Sequence, residues 1–149
     1  MTEIRFYHLQ RQTIEDALPK LAELVLKSGN KGLIKVADKN TAKQIDKALW
    51  TYSPESFLPH DIEGSKYADQ QALFITSNDE NPAAAKMAIL VNGQKLEDVT
   101  PFDRVLYMFE GLRDEIIATA REDYKNFKSL GYEMSYWQQK DEGGWDQKA

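Results

Sequence analysis

IRFYHLQRQTIEDALPKLAELVLKSGNKGLIKVA, residues 4–37, holds two apolar runs with one helical pattern between them. Ile4–Leu9 carries a large apolar or aromatic side chain at nearly every position, as a buried strand does. Thr13 follows as an N-cap, and Leu18, Leu21, Ala22, Leu24 and Val25 then recur at helical spacing until Gly29 stops the pattern. Pro19 either lies within the first turns of that helix or kinks it. A Gly-Asn-Lys-Gly turn enters 32–37, a short apolar run suited to a second buried strand. A strand, a helix and a strand in this order make a right-handed crossover between parallel strands.

The alternation continues along the chain. Asn40 reads as the cap of a second helix with Ala42, Ile45, Ala48 and Leu49 on one face, ending before Pro54. Ala72–Thr76 and Met87–Val91 are buried-strand candidates on either side of the Asn78–Pro82 loop, and Val105–Phe109 is another β-rich run. A helix from about Leu112 to Leu130 closes at Gly131, the C′ position where glycine is favoured. The expected fold is α/β, a single three-layer domain with a mainly parallel sheet over residues 1–131. Residues 132–149 change character, with Tyr136, Trp137 and Trp145 spread among polar residues. They read as a tail that packs back through its aromatics while the remainder frays.

Composition excludes several classes. A length of 149 residues fits one domain with an ordinary core. With no cysteine there is no disulfide framework, thiolate metal site or cysteine nucleophile. No apolar run approaches the roughly 20 residues of a membrane span, and MTEIRFYHLQ lacks a signal-peptide pattern, so a cytoplasmic protein is expected. Nineteen basic against 24 acidic residues leave a net charge of −5, which argues against broad wrapping of nucleic acid.

An α/β sheet raises the question of a nucleotide, yet neither G-x-G-x-x-G nor G-x-x-x-x-G-K-[ST] occurs, and the first strand–helix junction has no glycine. No serine elbow is present either. His60 and Asp61 are neighbours in an extended segment and point to opposite faces, so a structural role for His60 is expected. His8, on a core strand, reads as a hydrogen-bonded buried histidine. Asp79 and Glu80 sit in a solvated loop without a partner cluster for Mg²⁺. No cofactor, metal or catalytic residue is expected.

The last helix is more informative. At about 100° per residue from Arg121, Lys125 falls at about +40° and Lys128 at about −20°, a cationic row along one edge. Ile117 and Tyr124 lie at the seam between this row and the apolar stripe of Ile116, Ala120 and Phe127, with Glu115, Glu122 and Asp123 elsewhere. Cations late in a helix complement its dipole. The same row also suits an acidic peptide with an apolar end. Trp50, before a turn rich in Ser, Pro and Glu that leads to Phe57, reads either as core or as a protein-binding patch.

Together, Phe6-Tyr7, Asp46–Trp50, Glu55-Ser56-Phe57-Leu58-Pro59-His60 and Ala120-Arg121-Glu122-Asp123-Tyr124-Lys125 resemble the chi subunit family of bacterial DNA polymerase III. The Asn78–Pro82 loop and Tyr136-Trp137-Gln138-Gln139 resemble its alphaproteobacterial branch. The Leu-Trp and Ser-Phe-x-Pro-His stretch is the most specific part. The resemblance implies a Rossmann-like domain without a nucleotide site, acting as a non-catalytic accessory of the clamp loader. It implies two partners: a psi-type subunit or other clamp-loader component, and the acidic C-terminal tail of single-stranded DNA-binding protein, which ends in Pro-Phe. Contact with DNA is then indirect. The family's basic tail-binding positions match Arg121 and Lys125, with Tyr124 as the adjacent aromatic. Another cationic position falls on Ile117 here, and Lys128 is assigned by helix geometry. The psi-facing aromatics match Trp50 and Phe57. The competing readings are a direct single-stranded DNA binder, which would keep its DNA affinity without that protein, and a small α/β nucleotide-binding enzyme without recognisable loops, which would saturate with nucleotide.

Overall fold

The computed structural model describes residues 2–52, 60–64, 72–142 and 144–149. Its strands are β1 (Glu3–Leu9), β2 (Gly32–Lys35), β3 (His60–Ile62), β4 (Leu73–Thr76), β5 (Met87–Val91), β6 (Arg104–Glu110), β7 (Glu133–Gln139) and β8 (Trp145–Gln147). Its helices are α1 (Ile14–Lys27), α2 (Lys39–Thr51) and α3 (Asp114–Ser129). The strands form one sheet in the order β3-β4-β2-β5-β6-β1-β7-β8. Every pairing is parallel except that of β7 with β8. This is the α/β fold the alternation predicts.

Two cores lie on opposite faces of the sheet. Leu9, Ile34, Ile75, Ile89 and Met108 pack with α1 and α2 on one face. Ile4, Phe6, Leu33, Leu90, Tyr107 and Phe109 pack with Ala120 and Phe127 of α3 on the other. Both faces are covered, so β2, β4 and β5 are buried at every position, which is why they read as continuous apolar runs rather than alternating ones.

The helix ends follow local chemistry. The Thr13 hydroxyl accepts from the Asp16 amide at 3.3 Å, capping α1. Pro19 lies buried inside α1, and the helix runs through it to Lys27. The cap of α2 is Asp38 and not Asn40. Asp38 Oδ1 accepts from both the amide and the hydroxyl of Thr41 at 2.8 Å, and these bonds hold its carboxyl below the usual range. At the end of α3 Gly131 takes φ +89°, a left-handed conformation that glycine adopts without a Cβ penalty.

Residues 132–149 differ most from the sequence reading. β7 pairs with β1 from Glu3↔Glu133 to His8↔Gln138, so β1 has a parallel neighbour on each side. β8 folds back on β7. Alternation sends Trp137 and Trp145 to the α1 face and Met134 and Tyr136 to the α3 face. The aromatics that mark an adherent tail are side chains of strands. Their half-burial comes from lying toward the rim of the sheet, where the helices cover them only in part.

Candidate functional site

α3 presents the cationic row as the periodicity predicts. Arg121, Lys125 and Lys128 are exposed, Ile117 and Tyr124 are half-buried, and Ala120 and Phe127 are buried. None of the three cations forms an ion pair with the described residues. Asp123, off the cationic row, is buried. It is 2% exposed, accepts a hydrogen bond from the Tyr107 hydroxyl at 2.5 Å and one from Lys95 Nζ at 2.8 Å. These bonds pin one flank of α3 and turn the opposite flank, with the cations, toward β1 and β7.

The floor beneath that flank belongs to the sheet. Tyr124 meets the Phe6 ring edge-on with centroids 5.2 Å apart, and the Tyr136 ring at 6.1 Å. His8 Nδ1 and the Tyr136 hydroxyl are 2.6 Å apart, and the His8 ring stacks on Phe109 at 4.7 Å. Burial, aided by the nearby positive charge of Arg121, holds His8 below its ordinary value of 6.5. Burial raises the Tyr136 phenol while Arg121 pulls it the other way. The groove therefore has a cationic wall and an aromatic, hydrogen-bonding floor. Sequence reasoning found the wall and missed the floor. The available signal was period-2 alternation over Met134, Tyr136 and Gln138, continuing that of Phe6 and His8.

A second patch lies at the other end of the sheet. Trp50, at the end of α2, is 58% exposed, and its ring lies 4.8 Å from that of His60. His60 opens β3, and its Nε2 pairs with Asp46 Oδ1 at 2.9 Å. This anchoring agrees with the structural role expected of His60. Phe57 lies outside the described residues.

Between β6 and β1 the chain leaves the sheet in opposite directions, toward α3 on one face and α1 on the other. Ligands of α/β sheets bind at such a switch point, where strand–helix amides receive phosphate. Here the protein fills that place itself. Glu110 Oε2 accepts from the Ile14 amide at 3.0 Å, and Oε1 accepts from Asn92 Nδ2 at 3.2 Å. Gln139 Oε1 accepts from the amides of Gln10 at 3.2 Å and Arg11 at 3.3 Å. An incoming phosphate would meet a carboxylate in place of free amides. The Asn78–Pro82 loop is likewise committed internally: Asp79 accepts from Lys35 Nζ at 2.8 Å and from the Glu97 amide at 3.1 Å, and these bonds hold its carboxyl below the usual carboxylate range.

The chain matches the family model described as "DNA polymerase III chi subunit, HolC" over residues 1–135. It is 28% identical to the probable DNA polymerase III subunit chi of Rickettsia prowazekii, over 78% of this chain and 77% of that one. It is 27% identical to DNA polymerase III subunit chi of Escherichia coli, over 91% of this chain and 97% of the relative. For the Haemophilus influenzae subunit chi the identity is 25%, over 83% and 85% of the two chains. The family match spans the first strand, both cores, α3 and the start of β7, so the chain belongs to the DNA polymerase III chi subunit family.

Proposed function

We propose that this chi-type subunit serves DNA replication as a non-catalytic link, docking the acidic C-terminal tail of single-stranded DNA-binding protein on α3 and joining the clamp loader through a separate face. The observation that carries this reading is the row of exposed cations, Arg121, Lys125 and Lys128, without an ion pair among the described residues and beside a half-buried aromatic seam. An extended acidic segment follows the row, and Ile117 with Tyr124 shelters its terminal Phe. Exposed charge pairs contribute only about 0–1 kcal/mol each, so selectivity comes from the apolar contact and from an arginine fork on the terminal carboxylate. Trp50, with Phe57, is the contact proposed for a psi-type subunit or another clamp-loader component. The occupied switch point supports an adaptor over a nucleotide-binding enzyme, since the junction amides of Gln10, Arg11 and Ile14 are already bonded. Calorimetry with an acidic peptide ending in Pro-Phe tests the site. Saturable binding that Arg121→Glu and Lys125→Glu abolish is expected, and unchanged affinity in both variants removes the site from this helix.

A further inference from the structure

The His8–Tyr136 contact lies on the floor of the α3 groove, at the margin of the core that α3 covers. It joins adjacent parallel strands by a 2.6 Å hydrogen bond between half-buried side chains. Its position is tightly set. A Cβ built on Gly111 would lie 2.0 Å from His8 Nε2, so the imidazole packs directly over the glycine backbone. Phe109 covers one ring face. Among titratable groups, Tyr136 faces His8 from β7 and Arg121 faces it from α3. β6 brings only the Phe109 ring and the Gly111 backbone, because the Glu110 carboxylate is turned toward the start of α1.

We infer that His8 and Tyr136, together with Arg121, form the seat for a carboxylate of the docked peptide, and that His8 takes up a proton as the peptide binds. The inference rests on the α3 groove being the peptide site. With His8 neutral as the Nε2–H tautomer, the Tyr136 hydroxyl donates to Nδ1 and has no proton left for a ligand. When His8 is protonated, Nδ1–H donates to the Tyr136 oxygen. The Tyr136 O–H then turns outward and donates to the carboxylate. Unliganded, burial and then the positive charge of Arg121 disfavour the imidazolium, so His8 stays neutral near pH 7. A carboxylate arriving between them reverses the balance, because it is attracted to both cations. His8 and Tyr136 are positioning and specificity residues in this account, and the cost of the proton ties affinity to pH.

Calorimetry of the full chain with an acidic peptide ending in Pro-Phe, in buffers of different ionisation enthalpy, reads the proton directly. Between about pH 8 and about 5.5 the peptide carboxylates remain ionised. Up to one proton taken up per peptide is expected, with affinity rising about tenfold across that range. His8→Gln should abolish the uptake and flatten the pH profile while the chain stays folded by circular dichroism. Tyr136→Phe should weaken binding several-fold and also flatten the profile. Binding with no proton uptake, or uptake that survives His8→Gln, overturns the inference and leaves the α3 site standing. No binding by the wild-type chain overturns both.

Discussion

The crevice between β1 and β6 and the groove between α3 and β7 lie on neighbouring strands, yet they handle polar groups in opposite ways. In the crevice, three junction amides that might receive an anion already have an acceptor from within the chain, Glu110 for Ile14 and Gln139 for Gln10 and Arg11. In the groove, three cations stand exposed without an ion pair among the described residues. A buried donor left without a partner costs stability, whereas an exposed cation is solvated and can wait for one. The first region is spent on the fold, and the second is the one proposed to take a ligand.

Substitutions separate the two regions. Glu110→Ala should cost the most stability, about 2–3 kcal/mol in urea unfolding, because it strips the α1 amide and Asn92 of a part-buried acceptor. If the cost is within about 0.5 kcal/mol, the crevice is no better satisfied than the groove. Arg121→Glu should leave stability within about 0.5 kcal/mol but weaken the acidic peptide at least about tenfold, equivalent to about 1.4 kcal/mol. Truncating Arg121 to Ala should weaken it less, since no like charge then faces the ligand. Raising salt from about 0.05 to about 0.5 M should also weaken the wild-type complex, because screening shortens the reach of exposed charges.

Smaller effects sharpen the contrast. Trp50→Ala should cost less than about 1 kcal/mol, well under the roughly 3–5 kcal/mol of a buried aromatic, because the ring is 58% exposed. A larger loss would place Trp50 in the core and remove it as a partner contact. The smallest effect concerns pH. The folded state holds His8 below 6.5, so the unfolded chain binds more protons in the window just under that value. Stability should therefore fall as pH drops from about 6.5 toward the folded-state value and then level off for this group. The wild-type midpoint should drop by no more than about 2–4 °C beyond that of His8→Gln in thermal unfolding.

Much of the fold was legible because strand and helix periods are local. Leu18, Leu21, Ala22 and Val25 marked a helix, and 72–76 and 87–91 marked strands, without knowledge of neighbours. Leu24 followed the same spacing yet is 54% exposed, because the stripe it extends is wider than the surface α1 covers. The burial of Asp123 has no local signal, because only the fold brings Tyr107 and Lys95 to it. The missing phosphate loops were visible as absent glycines. The side chains that occupy their place, Glu110 and Gln139, were not.

The sequence by itself determined the order of β1, α1, β2, α2, β4, β5, β6 and α3, the net negative charge, and the row made by Arg121, Lys125 and Lys128, since each depends on composition or on spacings within a few turns of one segment. Tertiary structure decided what that row faces. Residues 133–139 lack the apolar density of a core strand and acquire their role from the ladder to β1, which brings together His8 and Tyr136, 128 positions apart. Such a pairing rests on register between distant segments, and no local period carries that information.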